Sequence, residues 1–256
     1  AGVRINTDAV DNSAGVDTSD REVNIKILLG EAIRRGILDE ADRVELLASM
    51  TDEVAQQVLR DNYEQNTLLG NARAQTGVMA TVHQRLIKWL EGRKELDRGI
   101  EFLPSDSELD ARIHADTGLT SPELSVLVAY AKLALKNDLT SGDLTQDPWL
   151  SRSLADYFPT RVRETFAAEL EQHPLRREII VNSVVNSMIN RGGITFAFRV
   201  MEETSASAEQ IARAYVIARE TFDLCRVHRL DRIVDDRKAK WRLIEAGTRQ
   251  EHRDAE

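Results

Sequence analysis

The residues best suited to chemistry lie near the start of the chain. A run rich in small and amide side chains, Asn6 to Asp17, leads into an apolar segment that begins near Val23. Ser19 and Glu22 have the spacing of a capping box, which predicts that a helix begins at Ser19. Free backbone amides at a helix start attract anions, and small residues let a ligand approach the backbone closely. The pattern therefore predicts a site for a carboxylate or another anion at Ser19.

These residues also have a purely structural interpretation. Ser19 could serve only as a helix cap, because capping boxes are common. Asn12 stands in a glycine-containing segment, where an asparagine often stabilises a turn through its own side chain. At the level of the residues alone both interpretations stay open, and only the spacing from Asn12 to Ser19 favours a ligand-binding role.

The rest of the chain offers little for metal or thiol chemistry. The five histidines show no paired ligand spacing. The single cysteine, Cys225, excludes an intrachain disulfide and a cysteine-based zinc site. Basic neighbours could activate its thiol, but a buried structural cysteine is the commoner case, and we assign Cys225 no role. We expect neither a catalytic residue nor a metal site in this chain.

The composition is that of an acidic, globular protein. The 256 residues carry 43 acidic and 34 basic side chains, a formal charge of −9 that opposes loose binding to nucleic acid or anionic lipid. The most apolar stretch, Leu124 to Leu135, contains Lys132 and is far shorter than the roughly 20 residues that cross a bilayer. We expect a cytoplasmic protein without nucleic-acid or membrane partners, and the basic run from Arg226 to Arg242 is interpreted as a solvated helix.

The elements that must position these residues are expected to be helices. Apolar residues recur at three- and four-residue spacing, as from Val44 to Val58, and no window sustains the alternation of a strand. The pattern predicts an all-α chain whose C-terminal region is bundle-like. Helix starts are indicated at Ser121, Asp147 and Ser207, and helix ends at Gly36, Gly92 and Gly192–Gly193.

The segment from Asn12 to Ser19 resembles the signature of glutamate dehydrogenases. The family's common form is Asn-Ala-Gly-Gly-Val, followed after two further residues by Ser, and Asn12-Ser13-Ala14-Gly15-Val16 with Ser19 has the same spacing. The resemblance implies that Asn12 lies beside the nicotinamide part of the cofactor. It also implies that Val16 contacts the substrate side chain and that Ser19 contacts the α-carboxylate of the substrate.

The match is closer to the large, multidomain bacterial NAD-dependent enzymes of that family. Thr18 and Arg21 depart from this subclass, which often has cysteine and histidine at those positions. The resemblance extends to about residue 225. Segments typical of the subclass begin at Asn6, Asp11 and Ser19, and others lie at 46–54, 122–124, 129–132, 173–179 and 190–193.

The resemblance implies a reaction that this chain cannot perform alone. It implies reversible oxidation of L-glutamate by NAD to 2-oxoglutarate and ammonia in the intact enzyme. The chain lacks the glycine-rich turn that holds the pyrophosphate, the lysine that polarises the substrate carbonyl and the aspartate that transfers a proton. We expect an inactive C-terminal part that binds no cofactor by itself and completes an upstream α/β dehydrogenase domain. Residues 1–18 are expected to be mobile without that domain.

A change in the distribution of proline near residue 100 predicts that the chain has two parts. Proline is absent before Pro104, and all five prolines lie between Pro104 and Pro174. We expect residues 1–100 to close the dehydrogenase domain and residues 101–256 to form a helical domain for contacts or regulation in a homo-oligomer. The competing interpretation is a stand-alone helical scaffold or adaptor that keeps a dehydrogenase-derived segment.

Three asparagines mark one further surface. Asn182, Asn186 and Asn190 recur every four residues on a helix whose other positions are apolar, so they share a face. One interpretation is a row of amides hydrogen-bonded to a neighbouring helix. The other is a docking face for the catalytic domain.

Overall fold

The protein is built of helices, without strands, throughout the part of the chain that the structure describes. A computed structural model gives the positions of residues 5–222. The expected all-α class is confirmed for these residues. The helices are α1 (Asp8–Asp11), α2 (Ser13–Arg34), α3 (Glu40–Ser49), α4 (Thr51–Ala74), α5 (Thr76–Gly92), α6 (Asp106–His114), α7 (Ser121–Thr140), α8 (Arg152–Tyr157), α9 (Thr160–Thr165), α10 (Ala167–Leu170), α11 (Arg176–Gly192), α12 (Phe196–Thr204) and α13 (Ala208–Thr221), with a 3₁₀ turn at Leu144–Gln146.

The chain divides into two compact units between Ala212 and Arg213. The first unit holds helices α1 to α12 and the first residues of α13. The second begins at Arg213, and within the described range it contains the remainder of α13. The expected boundary near residue 100 lies inside the first unit, and it stays a prediction about the division of function.

Helices α7 and α11 form the centre of the first unit. They pack against each other, and α11 also contacts α4, α8 and α12. A fully buried leucine or isoleucine side chain stabilises the fold by roughly 1.5–3 kcal/mol relative to an exposed one, so this contact is a major source of stability. Its buried apolar residues include Leu124, Leu127, Val128, Leu135 and Leu139 on α7, and Ile180, Val184, Val185, Met188 and Ile189 on α11.

Helix α4 connects this core to the N-terminal helices. It packs against α2, α3, α7 and α11, although its buried residues are only Val58, Leu68 and Leu69. Most of its remaining side chains are polar, and several of them face α2, α7 and α11 through hydrogen bonds and ion pairs. A layer of polar side chains on α4 therefore lies between α2 and the apolar core formed by α7 and α11.

Several expected helix ends are confirmed. Gly36 has φ +70° and follows α2, where its amide donates to the Ile33 carbonyl and the Ile37 amide donates to the Ala32 carbonyl. Gly193 has φ +102° and follows α11. Positive φ strains residues with a side chain much more than glycine, which explains both stops. At the start of α13, the Ser207 amide donates to Gln210 Oε1 and the Gln210 amide donates to Ser207 Oγ.

The expected helix end at Gly92 is confirmed, and the expected helix start at Asp147 is wrong. Helix α5 ends at Gly92, its C-cap is Arg93, and the left-handed residue that follows is Lys94, with φ 59°. Asp147 starts no helix; its carboxylate accepts the Trp149 amide at 2.9 Å, and α8 begins at Arg152. At Asp147 the local signal therefore marks a turn that precedes the helix.

Some sequence features lie outside the described residues. Cys225 and the basic run from Arg226 to Arg242 belong to this group. Among the helices that are described, none combines the length and apolar character needed to cross a membrane.

Candidate functional site

The predicted helix start at Ser19 is wrong. Helix α2 begins at Ser13 with Asn12 as its N-cap residue, so Ser19 lies inside the helix. The amide of an interior residue is already bonded to the carbonyl four residues before it, so Ser19 offers a ligand its hydroxyl and no free amide. Contacts with α4 stabilise the helical form of this segment and override the local capping signal.

Residues 5–18 make specific contacts within their own segment and with α7, and their expected mobility stays a prediction. The amide and side chain of Asn6 donate to the Asp11 carboxylate at 2.8 and 3.1 Å. Ser121 Oγ at the start of α7 donates to Asn6 Oδ1 at 2.7 Å, and Val10 is buried. Helix α1 therefore packs on α7, which supplies the partners that the sequence alone did not reveal.

The three predicted site residues lie together on one exposed face of α2. Asn12, Val16 and Ser19 line an open pocket of about 500 Å³. Their spacing of four and three residues places them on successive turns of the same face. Val16 is 63% exposed, although it is apolar. Such a surface can offer a ligand polar and apolar contacts at once. The remaining lining residues are Gly15, Asp20 and Val23.

Gly15 leaves room for the Asn12 side chain within the pocket. A Cβ atom at position 15 would lie 2.9 Å from Asn12 Oδ1, closer than real Cβ contacts allow. The amide of Asn12 thus lies directly over the backbone of the next helical turn. Because Asn12 makes no side-chain capping hydrogen bond, its amide is not used to start α2.

Asp20 is anchored at the edge of the pocket by α8. The Tyr157 hydroxyl donates to Asp20 Oδ2 at 2.7 Å, and Asn24 Nδ2 lies 3.3 Å from Asp20 Oδ1. Asn24 Nδ2 also donates to the Tyr157 hydroxyl at 2.9 Å. Burial raises the pKa of Tyr157, and the adjacent Asp20 carboxylate raises it further. Tyr157 therefore keeps its proton and serves as a donor.

Beneath this edge, Arg21 joins α2, α4 and α8. Arg21 is only 7% exposed, and its guanidinium donates to Gln57 Oε1 at 2.7 Å and to the Tyr157 carbonyl at 2.8 Å. It also donates to Asp61 Oδ2 at 2.5 Å and lies 3.3 Å from Asp17 Oδ1. A buried charge is tolerated because it is paired and hydrogen-bonded on several sides.

Asp17 belongs to the same cluster, and the pKa of its carboxyl group is raised. Burial raises the pKa of Asp17 to about 6. Arg21 opposes that rise, whereas the negative charges of Asp61 and Asp20 add to it. Asp17 Oδ2 is buried and has no hydrogen-bond partner. This unpaired oxygen fits a carboxyl that is protonated in part of the ordinary pH range.

The polar layer continues along α4 toward α7 and α11. Lys132 Nζ donates to Gln65 Oε1 at 3.1 Å, and burial lowers the pKa of Lys132 to about 8 against the pull of Asp61 and Glu64. Arg191 pairs with Glu64 at 2.8 Å. One face of α4 therefore connects the pocket helix to both central helices.

Sequence reasoning missed most of this layer. In the sequence, Arg21 stands out only as a departure from the subclass, and no local pattern marks Tyr157 or Asp61. A charged Lys132 within the most apolar stretch was the one available signal that an acidic partner helix lay nearby. Tyr157 lies 136 residues along the chain from Arg21, so no local pattern connects them.

His173 ties the start of α11 to the pocket helix. Its Nδ1 accepts the Leu175 amide at 3.0 Å, so its Nε2 carries the proton and donates to the Asn24 carbonyl at 3.1 Å. Burial lowers the pKa of His173, which keeps the ring neutral. Within residues 5–222, no group of three or more His, Cys, Asp or Glu side chains could hold a metal ion.

The asparagines of α11 do not form the row of hydrogen-bonded amides considered above. Asn182 and Asn186 are exposed, and neither forms a hydrogen bond to a neighbouring helix among the described residues. Asn190 Oδ1 is buried without a partner. The docking-face interpretation stays a prediction.

Comparison with known proteins first gives the class, a region of a nicotinamide-dependent dehydrogenase. Residues 1–72 match the model for the catalytic domain of bacterial NAD-glutamate dehydrogenase. Residues 116–251 match the model described as glutamate dehydrogenase, C-terminal. This second match covers more than half of the chain, and the chain therefore belongs to the C-terminal family of glutamate dehydrogenases.

Curated relatives confirm the resemblance. An NAD-specific glutamate dehydrogenase of Halomonas elongata is 46% identical over 226 residues, which is 88% of this chain. Proteins with the same name from Mycobacterium tuberculosis and Pseudomonas aeruginosa are 44% and 45% identical over 90% and 86% of it. The chain spans only 14% of the length of each relative.

Proposed function

We propose that this chain is part of a large NAD-dependent glutamate dehydrogenase and that its N-terminal helices complete the active site. The observation that carries the proposal is the pocket on α2. Asn12, Val16 and Ser19, the three signature positions, line that pocket together. They also lie within the segment that matches the bacterial catalytic-domain model. Similarity to dehydrogenases over nearly the whole chain favours this function over a stand-alone scaffold.

Each pocket residue supports one contact of the proposed reaction. The Asn12 amide can hydrogen-bond the nicotinamide carboxamide, and the Ser19 hydroxyl can donate to a substrate carboxylate. Val16 offers an exposed apolar surface to the methylene groups of glutamate. NAD held beside Asn12 would supply the oxidant for the overall reaction, in which L-glutamate, NAD and water give 2-oxoglutarate, ammonium, NADH and a proton.

The pocket needs a second wall to exclude water. It is open, and its lining belongs to one stretch of chain from Asn12 to Val23. We assign the facing wall, with the pyrophosphate turn and the catalytic lysine and aspartate, to an upstream α/β dehydrogenase domain of the same polypeptide. The isolated chain is then inactive and holds no NAD.

The remaining helices are assigned to assembly or control. We place the functional boundary near residue 100, between the segments that match the two family models. Residues 101–256 would provide homo-oligomer contacts or control cleft closure, and the exposed Asn182 and Asn186 would face the catalytic domain. The acidic composition and single cysteine support a cytoplasmic enzyme.

The proposal is tested by kinetics of the full-length enzyme. Ser19→Ala should raise the KM for glutamate and Asn12→Ala the KM for NAD, with kcat/KM falling about tenfold or more, because each change removes a ligand hydrogen bond. Thr18→Ala is the matched control, since Thr18 lies on the same helix but bonds only the Ala14 carbonyl. Wild-type kinetics in both pocket variants, with unchanged melting temperatures, would contradict the proposal.

A further inference from the structure

The pocket has a charged group that the signature does not explain. Asp20 is the one charged residue in its lining. A carboxylate repels the two carboxylates of a dicarboxylic amino acid but attracts the ammonium group of the same molecule. Among the lining residues, Asp20 is therefore the group suited to the cationic end of such a substrate.

The geometry of Asp20 leaves it free to accept a ligand hydrogen bond. Each carboxylate oxygen has two lone pairs, and each oxygen of Asp20 has a single side-chain donor nearby, Tyr157 or Asn24. Both donors hold the carboxylate in one orientation at the pocket edge. The remaining lone pairs can accept charge-assisted hydrogen bonds from an ammonium group.

We propose that Asp20 is a substrate-contacting residue that accepts the α-ammonium group of the amino-acid substrate. Tyr157 is the positioning residue, because its hydroxyl fixes Asp20 Oδ2 at 2.7 Å. This assignment rests on the proposed function. It implies that α8, in the part of the chain beyond residue 100, helps to shape the substrate site on α2.

The experiment compares ligands with and without the amino group in the full-length enzyme. Asp20→Asn keeps the shape and the acceptor for Tyr157 but removes the charge. It should raise the KM for glutamate about tenfold or more, because a hydrogen bond between charged groups is lost. The inhibition constant of glutarate, which has both carboxylates and no ammonium group, should change less than about twofold.

Tyrosine variants separate positioning from general stability. Tyr157→Phe should raise the KM for glutamate by a smaller factor than Asp20→Asn while leaving glutarate inhibition unchanged. Tyr130→Phe is the matched control, because the Tyr130 hydroxyl donates to Glu101 at the same 2.7 Å, and neither residue lines the pocket. It should change neither constant.

The possible results are distinguishable. Equal losses for glutamate and glutarate in Asp20→Asn would overturn the proposal, because they would indicate a structural role. A rise in the KM for NAD alone would also overturn it and would assign Asp20 to the cofactor. A wild-type enzyme that does not oxidise glutamate would instead refute the proposed function itself.

Discussion

The Arg21 side chain contacts four polar groups, which lie on helices α2, α4 and α8. Its planar guanidinium offers five donors in fixed directions, and it contacts Asp17, Gln57, Asp61 and the carbonyl of Tyr157. A lysine could not satisfy this set, because its single ammonium group presents donors from one point. The residue that departs from the subclass is therefore built into the fold beneath the pocket.

Removing this guanidinium should be costly. Arg21→Met should lower the free energy of unfolding by about 2–3 kcal/mol, since charged partners lose their hydrogen bonds. The loss is limited because the Asp61 side chain is 47% exposed and can be solvated. Urea denaturation of the chain measures it.

Arg34→Met provides the matched control for that experiment. The Arg34 side chain is 69% exposed, and its carboxylate partner is Glu31 one turn away. An exposed pair of this kind contributes less than about 1 kcal/mol. Equal effects of the two substitutions would contradict the role assigned to Arg21.

Asp17 gives the stability a dependence on pH. Its folded-state pKa of about 6 lies above the ordinary aspartate pKa of 3.8, mainly because of burial. The folded chain therefore holds this proton more tightly, and the resulting stabilisation is complete below about pH 4 and lost as the pH rises through about 6. Arg21, Asp61 and Asp20 are the charged groups that face Asp17.

Asp17→Asn should remove this dependence. Relative to the wild type, the variant should gain about 1 kcal/mol of unfolding free energy between about pH 4 and about pH 7, a value reduced for solvent screening. Denaturant titrations at several pH values measure the difference. A difference between Asp17→Asn and the wild type that stays constant across this pH range would refute the raised pKa.

At the scale of the elements, the sequence predicts helices well and their contacts poorly. The glycine at position 36 is a local signal that correctly indicates the end of α2, and the apolar spacing from Val44 to Val58 correctly indicates helix but gives no sign of the break at Met50 between α3 and α4. The first turns of α2 have partners on other helices: Ser13 hydrogen-bonds Asn62 of α4, and Arg21 bonds groups of α4 and α8. Such long-range contacts leave no local pattern, so the sequence predicts a loop before Ser19 where the structure has the first turns of α2.

Two glycines of the same region should respond oppositely to alanine. Gly30 lies inside α2, and nothing is within 4 Å of an added Cβ, so Gly30→Ala should stabilise the chain by about 1 kcal/mol. Gly36 has φ +70°, and Gly36→Ala should destabilise it by about 1 kcal/mol. Melting temperatures of the two variants measure both effects, and shifts in the same direction would contradict these helix ends.

At the scale of the first unit, α4 determines how the pocket and the core are connected. Its polar face pairs with Arg21 of α2, Lys132 of α7 and Arg191 of α11. The contacts of residues 1–100 with the helices beyond residue 100 thus include ion pairs and hydrogen bonds as well as apolar packing. A functional division near residue 100 would still leave the two parts structurally dependent on each other.

This arrangement has a consequence for hydrogen exchange. Because α2 and α11 are both anchored on α4, opening of α4 exposes the backbone amides of both helices together, in one cooperative event. A ligand bound over Ser19 stabilises α2 and therefore makes that event rarer. Deuterium uptake should then slow in α11 as well, although that helix contributes no residue to the pocket.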